Sequence, residues 1–157
     1  MNLDKFLSAR LSLREASIKV PELAEFFEEG EDAVWTVRAA TAAEIGRAND
    51  DSKRQEHVEQ LVRAMAGGGD KVTAIRNALG LGGDDVPQDV SRRISLLAAA
   101  SVSPPLGDER RDVAVRISEM YPTVFYTLTT RILELTGEGA QLGKQQPSGT
   151  AESAATS

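Results

Sequence analysis

Cysteine does not occur in this chain, which removes disulfide bridges and thiolate metal sites together. Aromatic residues are scarce as well, at 4%, although hydrophobic residues as a whole reach 41%. A core must therefore come from Leu, Val, Ile and Ala on packed helices and not from aromatic clusters. Only one histidine is present, His57, and it has no partner at the spacing of a metal site or a catalytic dyad, so it reads as a surface or boundary residue. No apolar run is long enough to span a bilayer and no charged-then-apolar leader is visible, so the expectation is a soluble cytoplasmic protein that does not enter membranes. Positive charge is also in deficit. The formal net charge is −6 and the pI near 4.9, the wrong sign for a protein that binds by neutralising phosphates, and nucleic acid is not an expected partner. The pairs Arg92-Arg93 and Arg110-Arg111 sit beside acids without interleaved aromatics and read as solvated helix faces.

What is present carries no recognisable chemistry of catalysis. Gly80-Leu81-Gly82-Gly83 follows a helical pattern and is not followed by Lys-Ser or Lys-Thr, so it is neither a Walker loop nor a dinucleotide loop, and it reads as a hinge or cap. The segment from Pro21 to Ala33 holds Glu22, Glu25, Glu28, Glu29, Glu31 and Asp32 and no base. Its spacing is not that of a calcium loop, and nothing buries a carboxylate there to shift its pKa for acid–base work. A solvated acidic turn is the plain reading, and a docking face for a basic partner is the functional one. No catalytic, cofactor-binding or metal-ligating residue is expected, and the protein is not read as an enzyme.

Hydrophobic periodicity defines the elements. Leu3, Phe6 and Leu7 suggest a turn or two of helix at the start. From Glu15 to Val20 the residues alternate, with Ala16, Ile18 and Val20 on one side, which is the period of a half-buried strand ended by Pro21. Val34 to Ala39 offers a second strand, with Trp35 as its core anchor. Between them, Pro21 to Phe27 suits a short helix with proline in its first turn and Leu23, Phe26 and Phe27 along one side.

Thr41-x-x-Glu44 is a capping-box pattern, so a helix should open at about Ala42, weakened by Asn49-Asp-Asp-Ser52 and continued by Val58, Leu61, Val62 and Met65 as far as Gly67-Gly68-Gly69. A short helix capped by Asp70 and carrying Val72, Ile75 and Leu79 would then end at Gly80, with a mobile Gly82–Asp85 link behind it. Pro87 opens another helix, with Val90, Ile94, Leu97 and Val102 as its stripe before Ser103-Pro104-Pro105. Asp108 caps the next, carrying Val113, Ile117 and Met120. After Pro122 the last helix carries Val124, Phe125, Leu128, Ile132 and Leu135, stopped at Thr136-Gly137.

The fold expected is mainly α: a helical domain over residues 1–137 with a small N-terminal two-stranded β element, pairing the segments around Ile18 and Trp35, and a disordered C-terminal tail over 138–157. Within the domain, residues 1–40 form the small α+β element and 41–137 the helices. The tail is rich in Gln, Ser, Gly, Ala and Thr and has too few apolar anchors to offset the entropy of ordering.

Two stretches carry a resemblance. The first runs through Arg14, Val20, Pro21, Glu22, Leu23, Trp35, Val37, Arg38 and Glu44; the second through Pro122, Phe125, Leu135, Thr136 and Gly137. In this order they resemble the tail assembly chaperones of long-tailed bacteriophages. The resemblance implies a non-enzymatic role in virion assembly, in the host cytoplasm, by a protein absent from the finished particle. Its partners would be the tape measure protein, kept soluble and extended, and the tail tube protein, with possible homo-oligomers of the chaperone along the tape measure.

The family also often extends a fraction of its product by ribosomal frameshifting, for which Leu142-Gly143-Lys144 is the expected site here. Phe125, Leu128, Ile132 and Leu135, on a terminal helix next to a flexible tail, are the candidate partner-binding residues, shared between core and partner. A structural tail completion or head-to-tail connector protein, or a helical adaptor unrelated to phage, is the alternative.

Overall fold

The computed structural model describes residues 1–66 and 87–142. Outside it lie the expected Gly67–Gly69 stop, the short helix from Asp70, the Gly82–Asp85 link and the tail from residue 143 onward.

The alternating segment forms β2 (Glu15–Lys19), which pairs antiparallel with β3 (Val34–Arg38) so that Ile18 stands opposite Trp35. Ala16 and Ile18 turn toward the core, while Ser17 and Thr36 share a hydrogen bond of 2.9 Å on the open face. A period of two puts alternate residues on opposite faces, so a one-residue slip would expose the whole apolar set. The connection is a 3-10 helix, Pro21–Phe26, with proline in its first turn as expected. The sheet has one strand more than the periodicity indicates. Ser101–Ser103, here β4, pairs with β3 across an irregularity at Thr36 and Val37, and Val102 belongs to this strand and not to a helical stripe. The preceding helix ends at Ala100 because the Oγ of Ser101 accepts a 2.6 Å hydrogen bond from the Trp35 indole and donates to the Pro104 carbonyl. Those bonds fix Ser101 in the sheet.

Helix α2 (Ala42–Ala66) opens on the expected capping box. The Thr41 hydroxyl accepts from the Glu44 amide at 3.3 Å, and the Glu44 carboxylate accepts from the Thr41 amide at 2.8 Å. The helix runs unbroken through Asn49–Ser52, residues that ordinarily compete with helical hydrogen bonding. Here two of them have tertiary partners instead. Ser52 donates to the Gln88 carbonyl, and Asp51 accepts from Ser95 and Arg111. Of the stripe expected further on, Leu61 is exposed; the side chains of Val58, Val62 and Met65 lie outside the described residues.

Helix α3 (Gln88–Ala100) packs between α2 and α5 (Pro122–Gly137), with α4 (Arg111–Met120) beside it. A 3-10 turn, Asp108–Arg110, precedes α4, and Asp108 makes no side-chain cap. Ile94, Leu96 and Leu97 of α3, Ala114 and Ile117 of α4 and the stripe of α5 form one core with Trp35 and Val37. Arg93 and Arg111 are not free solvated charges. Arg93 pairs with Asp89, donates to Thr129 and Thr130 of α5 and lies 5.2 Å over the Tyr126 ring, while Arg111 donates to Ser95. Arg93 joins α3 to α5, and Arg111 joins α4 to both α3 and, through Asp51, α2.

Past residue 137, where the helical domain was expected to end, the described chain continues to Leu142. Helix α5 ends at Gly137, Gly139 takes a left-handed φ of +72°, and its amide donates to the Thr136 carbonyl. The chain then forms β5 (Gln141–Leu142), which pairs antiparallel with β1 (Leu11–Ser12) near the opposite end of the sequence. The two paired residues tie this stretch to the segment just before β2. Helix α1 (Leu3–Ser8) precedes β1, capped by the Asn2 side chain on the Lys5 amide, and buries none of its residues.

Candidate functional site

A concavity of about 540 Å³ lies between the Pro21–Phe26 turn and α4. Its shape follows from local geometry. Residues three apart eclipse one another in a 3-10 helix, so Leu23 and Phe26 project to the same side. Leu23 is buried and forms the floor with Trp35 and Ile117, whereas Phe26 stands at the mouth, 68% exposed. On the facing wall, Val113 and Ile117 are one helical turn apart. Tyr121, at the end of α4, meets Phe26 edge to face with centroids 6.4 Å apart and an interplanar angle of 82°. An aromatic pair of this kind contributes about 0.5–1.5 kcal/mol beyond its buried area and so holds the mouth in shape.

Charge around the mouth is mainly negative. Glu28, Glu31 and Asp112 line it, with Arg116 the one cation among the lining residues. The expected acidic turn is thus brought beside an apolar cavity. All its carboxylate-bearing residues are exposed, and among the described residues no group of three His, Cys, Asp or Glu side chains could hold a metal ion. The arrangement is suited to taking an apolar side chain with positive charge close by.

The carboxylate with a markedly shifted acidity lies elsewhere and has a structural cause. Glu44 is held down to about 2, chiefly by hydrogen bonds from the Arg38 guanidinium and further by the Thr41 amide, against the opposing effect of burial. The same contacts raise Arg38. This pair joins β3 to α2.

The four candidate partner-binding residues are all core. Phe125 is 1% exposed, Leu128 and Ile132 are fully covered and Leu135 is 2% exposed. That is the core half of the expectation; in the folded domain this face of α5 is covered by α3, α4 and β3, so a partner reaches it only where α5 leaves its place. A partner meeting α5 in the folded domain touches Tyr126, Thr127, Thr130 and Glu134. Phe26 and Tyr121 are the residues that sequence reasoning missed. Their signal was the Phe26-Phe27 doublet, because two adjacent residues cannot both face inward from one turn. Phe27 is the half-buried member and Phe26 the exposed one.

Compared with family models, with curated proteins and with solved structures, the chain finds no match.

Proposed function

We propose that this protein is a tail assembly chaperone of a long-tailed bacteriophage, which keeps the tape measure protein soluble in the host cytoplasm and helps gather tail tube subunits around it. The observation that carries the reading is spatial. The two stretches that bear the resemblance, around Arg14–Glu44 and Pro122–Gly137, are far apart in sequence and meet as one unit. The Ala40 amide donates to Thr136 Oγ1 at 2.9 Å, the Arg14 guanidinium lies 3.6 Å from the Glu138 carboxylate, and α5 packs on β2 and β3. Their meeting in one core is what the resemblance requires if both stretches belong to one family domain.

The cleft supports the same reading. A long helical client with apolar stripes aggregates unless those stripes are covered, and an acidic domain with an open apolar cavity can cover them while the charged complex stays soluble. The test is co-expression with the tape measure protein of the same genome, measuring how much of that protein remains soluble. The expected result is a large soluble fraction with this chain and precipitation without it, together with absence of this chain from purified virions. A fixed number of copies in purified virions would overturn the reading in favour of a connector or completion protein.

A further inference from the structure

We infer that the cleft between the Pro21–Phe26 turn and α4 receives the N-terminal helix of a second copy of this chain, so that copies associate head to tail. Two unmatched surfaces on the same molecule carry the inference. Helix α1 presents Leu3, Phe6 and Leu7 at spacings of three and four residues, which places them on one face. Leu7 is 80% exposed and the other two more than half exposed, so none of the three is buried by the described residues. A segment of six residues is too short to remain helical in water for its own sake, and an amphipathic face of this kind gains stability by packing. The cleft is the converse: a cavity with an apolar floor, open at the mouth, to which no residue of α1 contributes.

Dimensions and charge agree. A helix of six residues is about 9 Å long, a length that a cavity of this volume can accept side-on with two or three side chains inserted. Lys5 and Arg10 outweigh Asp4 around α1, and Glu28, Glu31 and Asp112 outweigh Arg116 around the cleft. Opposite charges at the rim of an apolar contact favour encounter and fix orientation. Because helix and cleft are different surfaces, a copy that gives its helix to one neighbour and takes the helix of another extends the contact into a ring or an open chain, whereas a reciprocal exchange between two copies would close a symmetric pair. The inference rests on the cleft being a binding surface, as in client binding, but not on the phage role; a client segment and a neighbour's helix are alternative occupants.

Sedimentation velocity of the purified full chain over a wide concentration range tests it, with the Phe6→Asp and Phe26→Asp variants. Both residues are more than half exposed, and circular dichroism checks that each variant is folded; Leu7→Asp serves if Phe6→Asp is not. The wild type should form species larger than a dimer as concentration rises. Each variant alone should associate at least about tenfold more weakly, the loss expected for an apolar anchor at an interface centre. An equimolar mixture of the two should give a 1:1 dimer that grows no further, because one intact helix and one intact cleft remain. A monomeric wild type, wild-type association by Phe26→Asp, or a mixture that stays monomeric would each overturn the proposal. Loss in Phe6→Asp alone would assign the contact to two α1 helices, against the cleft. Solubilisation of a client by a strictly monomeric protein would leave the chaperone reading standing and remove this one.

Discussion

The guanidinium of Arg38 grips the carboxylate of Glu44 through two hydrogen bonds, of 3.0 and 2.7 Å, and also donates to the carbonyls of Ala39 and Ala99. One side chain therefore ties the end of β3, the first turn of α2 and the last turn of α3. The planar fork of arginine is suited to this, and lysine could not reproduce it.

The pair predicts a pH dependence. Glu44 is depressed from its ordinary 4.5 to about 2 in the folded protein, so its contribution to stability is fully present above about pH 4.5 and is lost as pH falls toward 2. Glu44→Gln should lower stability at pH 7 by about 2 kcal/mol and flatten this part of the acid limb. Urea denaturation of both proteins at pH 7, 4.5 and 3 measures it; parallel pH profiles would show that the pair contributes nothing.

Ser101→Ala removes the acceptor of the Trp35 indole and leaves a buried N–H without a partner, at a cost of about 1–3 kcal/mol. Trp35 is the sole tryptophan, so its fluorescence reports directly on this site. The expected outcome is a lower melting temperature together with a change in emission of the folded state. An unchanged melting temperature would mean that another acceptor takes the place of the hydroxyl.

Phe125→Ala and Phe26→Ala should part company. Phe125 is enclosed, and its truncation leaves a cavity costing about 3–5 kcal/mol, enough to unfold many domains of this size. Phe26 is at the mouth of the cleft, so its truncation should change stability by about 1 kcal/mol or less while weakening binding there. Thermal melts of the two variants decide it. Comparable destabilisation by both would place Phe26 in the core.

The last described strand, β5, ends at Leu142, directly before Gly143 and Lys144. A slippage event at Leu142-Gly143-Lys144 would then yield a minor product that keeps every described element, β5 included, and differs only beyond it. Intact mass measurement on protein from the native locus should show two species that share the chain through Lys144 and differ after it. A single species ending at Ser157, with codons that cannot re-pair, would exclude it.

The legible parts of the fold were those fixed by short-range rules. The alternation of Ala16, Ile18 and Val20, the Thr41–Glu44 capping box and the stripe of α5 each depend on neighbours a few residues away, and each is present as read. Ser101–Ser103 was not legible as a strand, because its pairing partner lies in β3 and its anchoring donor is Trp35. Gln141–Leu142 was read as tail for the same reason, since polar residues order there only through β1. Arg93 looked solvated because its partners Thr129 and Tyr126 belong to another helix.

The candidate site divides along the same line. The sequence by itself determined which residues could bind a partner, through an apolar stripe and an acidic turn, because composition and spacing limit the available chemistry. Which of them face outward was decided by the tertiary structure alone. Packing α5 against α3, α4 and β3 covered Phe125, Leu128, Ile132 and Leu135, while crossing the Pro21–Phe26 turn over α4 left Phe26 and Tyr121 around an open cleft. Hydrophobic burial is non-directional and depends on area removed from water, so an apolar stripe states that something must cover it, and only the assembled fold states what does.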